Sequence, residues 1–260
     1  MSAMTFSTLI SPLFLVAGGL AVCELASAQA PHFEVASIKP SDPNAKGSSI
    51  WSDHGALNAT NQTIRTLITI AYRIRDFQLT GGPAWVSSDR YDILAKPEQV
   101  ASPPDAKTRD ELWNERTRSL LADRFGLVIH KETREGQIYL LAIAKGGPKV
   151  TEATTPGDRQ GITASARRAQ GFVAPMKMLA EHLSSAVGRP VIDTTSLTGK
   201  YNWILEWSSD VVNSPDAPPQ ETGAPTIFTA VQEQLGLKLE NAQGPIDTWV
   251  IDRINRPSQN

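Results

Sequence analysis

The stretch Leu121 to Ile143, LADRFGLVIHKETREGQIYLLAI, decides how this chain is read. Leu121 and Phe125 fall on one helical face, and Gly126 follows where a left-handed cap residue is wanted. Two apolar runs then flank the turn-like Arg134, Glu135 and Gly136, which predicts a helix end followed by a β-hairpin. The same order of events returns near the C-terminus, with Val231, Leu235, Gly236, Leu237 and Leu239, then Gly244-Pro245, then Trp249-Val250-Ile251. Gly126 and Gly236 lie 110 positions apart, as do Tyr139 and Trp249, and Arg90-Tyr91 and Lys200-Tyr201. A shared offset at three landmarks predicts an internal duplication, a unit of order β, α, β, β, α, β, β used twice.

The expected fold class is therefore α+β: two tandem duplicated modules, each with about two helices packed on a small, mainly antiparallel sheet. Residues 31–150 form the first module, 151–160 (TEATTPGDRQ) a polar linker and 161–257 the second. A length of 260 residues and 40% hydrophobic content suit two ordinary cores. A formal net charge of −2 lacks the basic footprint of a nucleic-acid binder.

Residues 1–30 differ from the rest. An apolar run from Leu9 to Val22 leads into Ala26-Ser27-Ala28-Gln29-Ala30, the pattern of a secretory signal peptide cleaved after Ala30. The run is shorter than the ~20 residues a spanning helix needs, so no stable membrane span is expected after cleavage. The single cysteine, Cys23, lies inside this segment, so a lipoprotein signal is the lesser alternative and a cleaved chain makes no disulfides. The expected location is periplasmic or secreted.

Along the remaining chain, FEVASI (33–38) reads as a strand, 41–54 as a loop and Leu57–Thr60 as a short strand. Thr63 opens a helix with Ile64, Leu67, Ile68 and Ala71 at helical spacing. A second helix spans about Thr108 to Phe125. In the second half, Pro175 starts a helix with the stripe Met176, Leu179, Leu183 and Val187, ended by Gly188. Lys200–Trp207 is a strand, and Pro225–Leu235 the last helix.

Several of these landmarks together resemble one family: FEVASIKPS, GGPAW with RYDI, LLADRFGLVIHKETRE, YLLAIAKGGPK, VIDTTSLTGKYNW and FTAVQEQLGLKLE with VIDRINRPSQN. It is the soil-associated family of uncharacterised exported proteins expanded in acidobacteria. Related domains look attached to membrane-bound antirepressor metallopeptidases, and the resemblance implies extracytoplasmic sensing or binding. Phe228-Thr229-Ala230-Val231 through Leu235-Gly236-Leu237 to Val250-Ile251 is also similar to the short N-terminal domain of secretins and TonB-dependent receptors, which implies a periplasmic docking fold.

Catalytic signals are sparse. His32, His54, His130 and His182 show no metal-ligand spacing, and no GxSxG elbow occurs. Asp89, Asp92, Asp193 and Glu206 are acid/base candidates by residue type alone. Gly81-Gly82-Pro83 and Gly146-Gly147-Pro148 read as turns, because neither ends in the GK[ST] of a phosphate loop. His182, beside Glu181, is expected to be exposed or satisfied at a cap. Trp85 and Trp207 are the candidate partner contacts, since indole offers apolar area and one donor. Trp85, following a Gly-Gly-Pro turn, is the indole expected at the surface. The expected function is a non-enzymatic binding or sensory module for an envelope protein, peptide or glycan, with no cofactor. The competing expectation is a hydrolase of envelope polymers or peptides with a site between the halves.

Overall fold

The computed structural model describes residues 30–97, 105–153, 159–208 and 225–257. The expected signal peptide up to Gln29 lies outside the described residues, as do residues 98–104 and 209–224. In chain order, β1 (Val35–Pro40), β2 (Ser49–Asp53) and β3 (Ala56–Thr63) lead into α1 (Ile64–Ala71). A 3-10 turn (Asp76–Gln78), β4 (Leu79–Gly81), the single-turn α2 (Trp85–Ser88), β5 (Arg90–Lys96), α3 (Ala106–Phe125) and β6 (Val128–Ile143) follow. Then come β7 (Thr151–Glu152), β8 (Gly161–Ala164), β9 (Arg168–Pro175), α4 (Met176–Val187), β10 (Val191–Asp193), β11 (Lys200–Glu206), α5 (Ile227–Leu235) and β12 (Leu237–Arg253).

The result, among the described residues, is a mixed α/β fold of five helices and three sheets, ordered β1-β5-β3-β2, β10-β6-β12-β4 and β7-β11-β9-β8. Pairing is antiparallel except between β10 and β6 and between β4 and β12. Local chemistry sets the boundaries. Thr63, Asp105 and Thr226 accept the backbone N–H three residues on, at 3.2, 2.8 and 3.1 Å, and so start α1, α3 and α5. Glycines in left-handed conformation end α3, α4 and α5, with φ of 59, 65 and 63° at Gly126, Gly188 and Gly236. Pro175 stands at the N-cap of α4, one position ahead of the expected first turn.

Neither expected hairpin forms. β6 runs without a break through Arg134, Glu135 and Gly136, and β12 runs through Gly244-Pro245. The two strands pair with each other along their whole length, Gly136 opposite Gly244. A Cβ on either glycine would come 2.7 Å from Cδ1 of Ile246 or Ile138, so these glycines give room to a diagonal isoleucine rather than a turn. The backbone groups of the polar middle need a partner, and one arriving from far along the chain satisfies them as well as a local return would.

Two smaller expectations also change. Thr151 and Glu152, placed in the linker, form β7 and pair with β11 at Asn202 and Tyr201; residues 154–158 lie outside the described set. Ser49–Asp53, within the expected loop, is strand β2.

The long ribbon serves two cores. One gathers Leu57, Ile64, Leu67, Ile93, Leu121 and Phe125, and receives Ile251 and Ile254 from the C-terminal end. The other gathers Leu179, Leu183, Trp203, Val231 and Leu237, and receives Tyr139 and Leu141 from β6. Each short parallel strand docks on the ribbon, β4 with Leu79 opposite Trp249 and β10 with Val191 opposite Tyr139.

Candidate functional site

Trp85 and Trp207, the candidate partner contacts, are both core side chains, each 9% exposed, whereas Trp85 was expected at the surface. Trp85 is covered by Arg256, whose guanidinium lies 5.3 Å from the ring centroid. Arg256 in turn donates from Nε and Nη2 to Oδ2 of Asp89, at 3.1 and 2.9 Å. That bond holds the Asp89 carboxyl below its ordinary range, and burial raises the neighbouring Tyr91 hydroxyl. A recess of about 580 Å³ opens beside this group, reached by Asn61, Arg90 and Asp42.

Trp207 packs edge-on against the ring of His182, centroids 6.3 Å apart. His182 is half-buried, and its Nε2 is enclosed with no hydrogen-bond partner, unlike the exposed or capped residue expected. Burial, then the charge of Arg75, pushes its pKa down, so the ring is neutral. Asp92, one of the acid/base candidates, accepts from Ser41 Oγ at 2.7 Å and from the Asn61 N–H at 2.8 Å, a structural role. Asp193 likewise accepts from Thr195, at 3.0 and 2.7 Å. Against the middle of the ribbon, a recess of about 410 Å³ is lined by Gln137, Arg189, Asn241, Ala242 and Gln243 among the described residues. Its lining is amide and guanidinium, not paired carboxylates.

An open groove of about 1060 Å³ lies on the third sheet. Burial alternates along its strands: Ala169, Gly171, Trp203 and Leu205 are buried, while Phe172, Asn202 and Ile204 are exposed and Gln170 is half-exposed. Register lines up Thr163, Gln170 and Ile204 across three strands, and Gly161 with Phe172 beside them. Phe172 and Ile204 are 38% and 46% exposed on this face. Thr163 and Gln170 make no side-chain hydrogen bond among the described residues. Lys149 and Arg159 also line the groove, and no Asp or Glu does so among the described residues.

A bulge shapes this surface. Tyr201 pairs with Ala174 and Trp203 with Gly171, so Phe172 and Val173 together oppose Asn202. Val173 has φ of 48°, a left-handed conformation rare for a β-branched residue. The first sheet repeats the device at Asn61, with φ of 54°, between the Ala59–Ile93 and Gln62–Tyr91 pairs. Next to the bulge, the Trp203 indole lies against Gly171, where any Cβ would overlap it, and its N–H is buried without a partner.

Sequence reading missed Phe172, Ile204 and Gln170 because alternation along a strand does not say which face meets solvent. The available signal was charge: Arg159 to Ala180 holds four basic residues and no acidic one. Among the described residues, no group of three His, Cys, Asp or Glu side chains is placed to hold a metal ion. No helix among them is long and apolar enough to cross a membrane.

No curated protein and no solved structure matches the chain. A family match covers residues 65–254, which takes in the whole ribbon, the second core and most of the first. The chain belongs to the family described as protein of unknown function (DUF3738).

Proposed function

We propose that this protein is an exported binding module, with residues 1–30 as its signal peptide and the groove on the third sheet as its ligand site. The observation that carries the reading is the groove's solvent face. Phe172 and Ile204 stay exposed beside Thr163 and Gln170, whose side chains make no hydrogen bond among the described residues. A concave surface that joins apolar area to free polar groups is the usual form of a recognition site.

The same reading takes residues 31–150 and 161–257 as duplicated modules joined by a linker. Support comes from the paired bulges at Asn61 and Val173, and from the matching parallel contacts Leu79–Trp249 and Val191–Tyr139. A duplicated fold offers two related faces, of which one can keep structure while the other takes on a ligand.

The test is equilibrium binding of the chain from Pro31 onward to a peptide digest and a glycan-fragment pool from bacterial envelopes. Saturable binding that Phe172→Glu abolishes and Asp89→Asn leaves intact is expected. Binding that follows Asp89 instead, or none from either pool, would contradict the site.

A further inference from the structure

We propose that the groove receives an extended acidic peptide segment laid along the free edge of β8. This rests on the groove being the binding site, and adds the chemistry of the occupant and the manner of its attachment.

Charge is the first observation. Arg159, Arg167, Arg168 and Lys177 fall between Arg159 and Ala180 with no Asp or Glu, in a chain whose formal net charge is −2. β8 lies inside that run, with Arg159 just before it and Arg167-Arg168 at the turn into β9. Arg159 has no ion pair among the described residues. Arg168 sits 3.4 Å from Glu206, but both side chains are more than half exposed, so the pair holds the guanidinium only weakly. Positive charge at both ends of a short strand favours a ligand carrying carboxylates along its length.

The backbone is the second observation. β8 is the terminal strand of its sheet, so one edge has no strand partner among the described residues. The Ser165 N–H donates to the Arg168 carbonyl at 2.7 Å, and Thr163–Gln170 and Gly161–Phe172 follow in register. Alternation therefore turns the N–H and C=O of Gly161 and Thr163 toward β9, and those of Ile162 and Ala164 outward. A polypeptide strand satisfies that outward row, which a saccharide has no repeating amide to match. Alternate side chains of such a strand lie on the groove's face beside Gly161 and Thr163, and the bare Gly161, opposite Phe172, leaves the way to that ring open to an apolar group.

The test is fluorescence anisotropy on the full chain from Pro31, using labelled peptides (Glu-Val)4, (Gln-Val)4 and (Lys-Val)4. The acidic peptide is expected to bind about tenfold or more tighter than the neutral one, with the gap narrowing as salt rises. Arg159→Glu combined with Arg167→Glu is expected to reverse the order of the acidic and basic peptides. Ala164→Pro, which removes an outward N–H and leaves the β9 ladder alone, is expected to weaken binding about tenfold. Because that variant can misfold, (Glu-Val)4 N-methylated at its valines or at its glutamates carries the same test. One of the two methylated peptides should lose affinity and the other should keep it.

Equal binding of all three peptides, abolished by Phe172→Glu, would overturn the acidic preference while keeping the groove. Phe172-dependent binding of glycan fragments with no peptide bound would overturn the peptide assignment. Indifference to both methylated peptides would overturn strand addition.

Discussion

Asn202 turns its side-chain carbonyl onto the N–H of Val173 at 2.9 Å, and this bond holds a left-handed valine inside a strand. Asp92 does the same for Asn61 at 2.8 Å in the first sheet. A side chain from the neighbouring strand thus replaces the ladder partner that the bulge removes. Asn202→Ala leaves that N–H without its acceptor, and an expected loss of about 1–3 kcal/mol should appear in urea unfolding. Asn202→Asp keeps an oxygen in place and is expected to lose less. Equal losses would mean that the acceptor is not what secures the bulge.

Gly171 is set by contact with the Trp203 indole, which occupies the place of a Cβ. Gly171→Ala is expected to cost about 1–3 kcal/mol through overpacking. Gly146 has open space around its Cβ position, and Gly146→Ala is expected to be neutral or slightly stabilising. Thermal unfolding of the two variants side by side checks the contrast. A tolerated alanine at Gly171 would show that the indole has another place to go.

His182 gives the stability a pH dependence of known sign. Its folded pKa is pushed down by burial and by Arg75, so the unfolded chain binds more protons across the interval between the two values. Stability is complete above the unfolded value near pH 6.5 and is lost as pH falls from there toward the folded one. His182→Phe is expected to flatten the urea-unfolding slope between about pH 7.5 and about pH 5. A slope that persists unchanged in the variant would contradict the buried neutral ring.

Asp89 acts lower on the scale. Arg256 depresses its folded pKa, so its contribution is present above the unfolded value near 4 and disappears as pH falls through the folded one. Asp89→Asn should remove a small part of the acid limb of stability, small because the pair is solvent-facing. The same substitution frees Arg256 over Trp85, so a rise in Trp85 fluorescence quenching by iodide is the companion readout.

How much of this was legible in the sequence depends on how far apart the deciding residues lie. The caps at Thr63, Gly126, Gly188 and Gly236 were legible because a cap acts within three or four positions. The apolar stripe Met176, Leu179, Leu183 and Val187 was legible from spacing alone. The ribbon was not: Arg134-Glu135-Gly136 has the composition of a turn, and only its pairing with residues more than a hundred positions later makes it a strand. Trp85 followed a turn and looked exposed, yet Arg256 arrives from the far end of the chain to cover it. Phe172 and Ile204 were not legible as surface, because alternation reports two faces without saying which one meets helices.

Amide hydrogen exchange on the chain from Pro31, with and without saturating (Glu-Val)4, measures the proposed site at single residues. The outward amides of Ile162 and Ala164 should exchange fast in the free protein and slow by about tenfold or more when the peptide is bound, while Asn61 to Arg90 stays unchanged. Unchanged exchange at Ile162 and Ala164, or protection centred on the Asp89–Arg256 recess, would contradict a ligand held along β8.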